Sequence, residues 1–89
     1  MKSLRFKGFG NYIKIHTENA TPLVVLEKLS NIEEKLPQQQ FIRTHKSYIV
    51  NITHIKQVEG NMIKCADKII PISGSYRQNF EAFIQRKIS

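Results

Sequence analysis

Three histidines, one cysteine and seven carboxylates are the side chains of this 89-residue chain that could carry catalysis or hold a metal. His16, His45 and His54 stand far apart in sequence, and none belongs to an HxxxH or mixed His/Cys pattern of metal-ligand spacing. They read as hydrogen-bonding strand and turn residues. Ser47 follows His45 closely, but neighbours on a strand and its turn seldom form a nucleophile–base pair, and no carboxylate is placed to orient the imidazole. Glu27, Glu33 and Glu34 crowd one short helical segment and read as a solvated face, not as an acid/base pair. Cys65 stands alone, so neither an internal disulfide nor a cysteine zinc site can form, which fits a reducing compartment. No glycine loop of the phosphate-cradling types occurs, and Gly8-Phe9-Gly10 is a turn. The expectation is no enzyme, no cofactor and no metal.

Cations and hydroxyls are more informative. Fourteen Lys and Arg against seven Asp and Glu leave a formal charge of +7, an excess that points to an anionic partner: nucleic acid, membrane surface or acidic protein. Between Lys35 and Val58 there is no acidic residue, while Arg43, Lys46 and Lys56 fall there with His45 and His54. The run Arg43-Thr44-His45-Lys46-Ser47 offers donors to phosphate oxygens, and Lys46 can donate to guanine O6 or N7. Read plainly, the same five residues are a solvated turn. A second stretch, Ile72-Ser73-Gly74-Ser75-Tyr76-Arg77, leads into a helix N-terminus, which favours an anion; its plain reading is a capping box from Ser75 to Gln78. Arg77 stands in the first helical turn, where the helix dipole disfavours a cation, so an anionic partner or the general charge excess must account for it. The third loop, Gly8–Asn11, is flanked by Arg5, Lys7 and Lys14. Together the three loops point to a nucleic-acid surface.

Short strands must hold these loops. Leu4–Phe6 and Tyr12–Thr17 alternate in the β manner across the Gly8–Asn11 turn, with Ile13 and Ile15 on one side and Tyr12, Lys14 and His16 on the other. Glu18–Thr21 reads as a turn and Leu23–Leu26 as a short strand. Leu29, Ile32 and Leu36 repeat at helical spacing and predict a helix over 29–36, stopped by Pro37, with Glu33, Glu34 and Lys35 turned outward. Strands follow at Phe41–His45, Tyr48–Asn51, Ile55–Val58, Met62–Cys65 and Lys68–Ile72, joined at Lys46–Ser47, Gly60–Asn61 and Ala66–Asp67. Asn51 is placed to cap one helical turn through Thr53. Tyr76, Phe80, Phe83, Ile84 and Ile88 share a helical face and predict a second helix over 76–87. The expected content is mainly β: about seven or eight short strands with one internal and one C-terminal helix.

Phe41-Ile42-Arg43-Thr44-His45-Lys46-Ser47-Tyr48-Ile49-Val50-Asn51 closely resembles the F-[IV]-R-x-H-[RK]-S-[YF]-[IV]-V-N signature of LytTR-type DNA-binding domains. Asn11–Thr17 looks like that family's first long strand, Glu33–Pro37 like the end of its helix, and Ile70-Pro71-Ile72-Ser73 like its iPxS segment, with Tyr76 where a tyrosine is expected. The likeness runs through nearly the whole chain in order, and implies a mainly β fold, an elongated arrangement of short antiparallel sheets, in a single domain over 1–89 that reads double-stranded promoter DNA. Its loops would enter successive major grooves in place of a recognition helix. It also implies the output end of a bacterial two-component response regulator, with a receiver domain in the parent protein, direct repeats as targets and a dimer on DNA. The abrupt strand start at Leu4 fits a domain cut from a longer protein.

By position, the resemblance places base contacts at Asn11, Lys46 and near Ser75. The family often carries an arginine in the third stretch, where this chain has Gly74 and Ser75. Either Arg77 takes that role or the loop touches phosphate alone. Lys7, Lys14, Arg43, His45, Ser47, Ser73, Gly74 and Tyr76 are candidates for backbone contact or for shaping the loops. For His45 and Asn51 the structural alternatives are an imidazole bond across the hairpin and a cap for the next turn.

A different class stays open: a basic interaction domain for RNA or an acidic protein. Single-stranded RNA calls for exposed aromatic platforms, and only Phe9, Tyr12 and Tyr76 fall outside expected core positions. The apolar runs are too short to span a bilayer, no signal peptide is visible, and the cations of the last helix stand beside Glu81, so no membrane and a cytoplasmic location are expected.

Overall fold

The computed structural model describes residues 3–17, 21–65 and 68–88. Eight strands and two helices follow in the order β1 (Ser3–Gly8), β2 (Ile13–Thr17), β3 (Leu23–Val25), α1 (Leu29–Lys35), β4 (Phe41–His45), β5 (Tyr48–Asn51), β6 (Ile55–Glu59), β7 (Met62–Cys65), β8 (Lys68–Pro71) and α2 (Gly74–Ile88), with one 3-10 turn at Ile52–His54. All pairings are antiparallel: a five-stranded sheet ordered β3-β2-β1-β5-β4 and a three-stranded sheet ordered β6-β7-β8. The expected mainly β architecture is present, and the body is longer than wide, 35 × 26 × 21 Å. Residues 18–20 of the expected Glu18–Thr21 turn, and the expected turn at Ala66–Asp67, lie outside the described residues.

Alternation along β5 explains how one sheet serves two cores. Ile49 and Val50 are both fully buried, yet successive strand residues point to opposite faces. On one face Ile49 joins Phe6, Ile13 and Leu29 beneath α1, with Ile32, Leu36 and Phe41 at the margin. Phe6 and Phe41 meet edge to face there, centroids 5.7 Å apart. On the other face Val50 joins Ile63, Cys65 and Ile70 of the small sheet, Ile72, and Phe80 of α2. α1 comes down close on β1: a Cβ added at Gly8 would meet the Leu29 side chain at 3.4 Å.

The helical segments depart from the sequence expectation in their ends and in one outward side chain. α1 closes one residue early, because Pro37 holds Leu36 extended (φ −89°, ψ 149°). Glu33 is not simply outward, since its carboxylate pairs with Arg43 at 2.9 Å. α2 starts at Gly74 and not at Tyr76. The Tyr76 N–H donates to the Ser73 carbonyl at 3.0 Å, which closes the first turn at Ser73 and puts Ser75 inside the helix, where it cannot act as cap. The side chain of Ile88 is outside the described residues, whereas Phe80 and Phe83 are buried as the helical stripe requires.

Asn51 behaves as its sequence context predicts. Its buried side chain accepts from the Thr53 N–H at 3.0 Å and from the Thr53 hydroxyl at 2.8 Å, capping the turn that carries the chain from the large sheet to the small one. Asn51→Ala should lower unfolding free energy by about 1–2 kcal/mol, the usual cost of losing such a cap. Urea denaturation checks this, and an unchanged midpoint would contradict it.

Candidate nucleic-acid interface

Three loops converge at one end of the β5–β1 seam. The first is a tight turn in which the Phe9 N–H donates to the Tyr12 carbonyl at 2.9 Å. Gly10 occupies its positive-φ position (φ 82°), a conformation that glycine adopts without a Cβ clash. Asn11 is exposed at its tip. The second is the β4–β5 hairpin, Lys46–Ser47. The Gly8 N–H donates to the Ser47 carbonyl at 2.8 Å, which fixes the first loop on the second. The third, Ser73 with the first turn of α2 at Gly74 and Ser75, is tied by a bond from the Ser73 N–H to the Thr44 carbonyl, also 2.8 Å.

That last bond depends on a bulge. Arg43 pairs with Ile49 and His45 with Tyr48, so Thr44 is an extra residue in β4. Its carbonyl, released from the ladder, is available to the third loop. Arg43 organises the tip around this irregularity. Its guanidinium donates to the His45 carbonyl (3.2 Å), the Lys46 carbonyl (2.5 Å) and the Glu33 carboxylate (2.9 Å), and lies 5.6 Å from the Tyr76 ring centroid. One side chain thus joins α1, the hairpin and α2.

His45 is part of the same scaffold. The Ser47 N–H donates to its Nδ1 at 3.0 Å, which leaves the proton on Nε2, and its ring meets Tyr48 edge to face. Burial, then the charges of Lys7, Lys46 and Arg43, hold its pKa below the ordinary histidine value. Burial first, and then Arg5, Lys14 and Lys68, do the same for His16. A lowered native pKa means that the unfolded chain binds protons more readily. Stability from both rings is therefore complete above about pH 6.5 and is lost as pH falls through their lower native values. Denaturation series between pH 7.5 and 5 should show that fall, roughly tracking histidine titration. His16→Gln with His45→Gln should flatten it; an equally steep fall in the double variant would rule the histidines out as its source.

Around the first loop, cations and rings interleave. Phe9 stacks on Tyr12 (centroids 5.1 Å, planes 10° apart). The Lys7 and Lys14 ammonium groups lie 5.5 and 5.4 Å from the Phe9 centroid, and Lys7 is also 4.2 Å from that of Tyr48. Lys46 is exposed at the hairpin tip. A cleft of about 330 Å³ runs beside it, lined by Gly8, Gly10, Lys28, Leu29, Ser30, Arg43, Lys46 and Ser47. Lys28 and Ser30 were not legible as site residues, because only the packing of α1 on β1 brings them here.

Arg77 lies elsewhere. It donates to Glu81 at 2.8 Å, to the Gly60 carbonyl at 2.6 Å and to the Asn61 side chain, so it fastens α2 to the β6–β7 turn. These partners account for a cation in the first turn of a helix. The half-buried Ser73 precedes α2 and Gly74 and Ser75 stand in its first turn, with the Ser73 and Ser75 hydroxyls 3.3 Å apart. No group of three His, Cys, Asp or Glu lies together as a metal site among the described residues, and none of their helices is long and apolar enough to cross a membrane.

The fold and the site define a β-rich module that presents basic, hydroxyl-bearing loops from a braced sheet edge. The chain belongs to the LytTr DNA-binding domain family, which matches residues 4–85. It is 31% identical over 68 residues to the sensory transduction protein LytT of Bacillus anthracis, covering 70% of this chain and 28% of that protein. With LytT of Bacillus subtilis it shares 33% over 66 residues, 67% of this chain and 27% of the relative. The LytTr DNA-binding domain of a response regulator from Bacillus cereus superposes with a TM-score of 0.86 at 25% identity, over 93% of this chain and 81% of that one. The chain therefore spans little more than a quarter of the length of these LytT relatives.

Proposed function

We propose that this domain reads duplex DNA in a sequence-specific manner by inserting its three loops into successive major grooves. The observation that carries the reading is the bracing: separate hydrogen bonds hold the first and third loops onto the β4–β5 hairpin, so that basic and hydroxyl side chains face one partner from a rigid frame. Asn11 and Lys46 suit base-edge contact because their side chains are exposed at loop tips. Lys7, Lys14, Ser47, Ser73 and Gly74 suit phosphate contact. Ser75 is the base-contact candidate of the third loop, while Arg77 acts as an anchor. His45, Arg43 and Tyr76 shape the loops.

Within a longer regulator the domain would be the non-catalytic, cytoplasmic output module behind a receiver, dimerising on direct repeats in promoter DNA. Family membership favours duplex DNA over RNA or an acidic protein. Selection from random duplex DNA, followed by titration at several salt concentrations, tests the reading. An enriched site bound at least ~10³-fold more tightly than scrambled duplex is the expected result. Equal, steeply salt-dependent binding to every duplex would mean that the charge attracts without reading.

A further inference from the structure

Phe9 is an exposed aromatic in a polar place. It retains 42% of its surface at the first loop; the other large exposed apolar side chains are on β3 and the residue after it (Leu23–Leu26) and on the small sheet (Val58, Met62, Ile69). The ring is partly exposed among cations, and its position is well defined. The turn bond to Tyr12 fixes the backbone, the Tyr12 ring supports it, and the ammonium groups of Lys7 and Lys14 flank it. Asn11 follows within the same turn. An apolar surface presented beside a base-reading amide has one natural counterpart in the major groove. The C5-methyl of thymine is the only apolar group that the base edges offer there.

We infer that Phe9 packs against a thymine methyl and selects an A·T pair next to the base read by Asn11. The inference rests on the duplex-reading proposal and adds a specificity-determining residue to it. Lys7 and Lys14, cross-strand partners beside the ring, fit the same arrangement as donors to the phosphates that border the groove.

Uracil lacks only the methyl, so it isolates the contact. In the enriched duplex each thymine is replaced singly by deoxyuridine and the Kd measured for the wild-type chain and for Phe9→Ala. The wild type should lose roughly 3–10-fold at one or two adjacent positions, the worth of one buried methyl, and little elsewhere. Phe9→Ala should bind the thymine and uracil duplexes equally, at about the affinity of the wild type for the uracil duplex. Phe9→Leu, which keeps an apolar side chain, should retain part of the discrimination and covers the case in which the alanine variant does not fold. A wild type indifferent to every uracil while still preferring its site would overturn the inference and leave duplex reading intact. So would a uracil penalty that persists undiminished in Phe9→Ala. Tighter binding to the single strand than to the duplex would replace the methyl contact with base stacking and overturn it as well. Loss of all site preference would defeat the duplex-reading proposal itself.

Discussion

Arg43→Ala is expected to destabilise the domain by about 2–4 kcal/mol and to abolish site-specific binding even where the chain remains folded. The estimate follows from what the side chain holds. Its side chain is only 15% exposed, and its three donors serve a carboxylate and two backbone carbonyls. Charge-assisted bonds of this kind contribute roughly 1.5–3 kcal/mol each when lost singly, and less when lost together with solvent able to enter. Glu33 is 46% exposed and rehydrates readily, so its share is small. The hairpin carbonyls lose more, because a charged donor held in a largely buried side chain is removed from both. Arg43→Lys should recover little: an ammonium cannot span the planar fork of contacts that a guanidinium makes. Urea denaturation gives the stability, and titration at a denaturant-free temperature well below the transition gives the binding. A variant with wild-type stability and a uniform, sequence-independent loss of affinity would show that Arg43 contacts phosphate and does not shape the tip.

Lys46→Ala carries the other large effect, and on binding alone. Its side chain is exposed, so stability should change by less than about 0.5 kcal/mol. If Lys46 donates to a guanine edge, affinity falls by roughly 1–3 kcal/mol and the preference at one base pair relaxes. If it meets only phosphate, the loss is similar on every duplex and the logarithmic salt slope shrinks by about one unit. Position along the family motif and exposure at the hairpin tip both favour base reading, so a selective loss is expected. Binding to a panel of single-base variants of the selected site, at two salt concentrations, separates the outcomes. An unselective loss with a reduced slope would move Lys46 to the phosphate contacts.

These two residues stand three positions apart in one motif and would have opposite consequences, a contrast that tertiary contacts alone create. Arg43 and Lys46 are both cations of the same five-residue run. The bulge at Thr44 turns Arg43 back over the hairpin and leaves Lys46 in solvent. Alternation in sequence cannot announce a bulge, since the extra residue shows itself only through the register of the partner strand.

The amino-acid sequence by itself determined the strands, both helices, the turn at Gly10, the cap at Asn51 and the family. Each of these rests on local period, on backbone preference or on a continuous motif, and so is written in neighbouring residues. It also determined that basic and hydroxyl residues belong to three loops. The tertiary structure alone decided which of those residues remain available. Arg77 is drawn to Glu81, Gly60 and Asn61. Glu33 is drawn to Arg43, and Lys28 and Ser30 are brought to the cleft by the close approach of α1 to Gly8. Side-chain ion pairs and helix-on-strand contacts join residues distant along the chain, and their energies depend on separations that no local pattern encodes. The start of α2 belongs with them: Ser75 has the composition of a cap, but the bond between Ser73 and Thr44 anchors the chain earlier and lets the helix begin at Gly74.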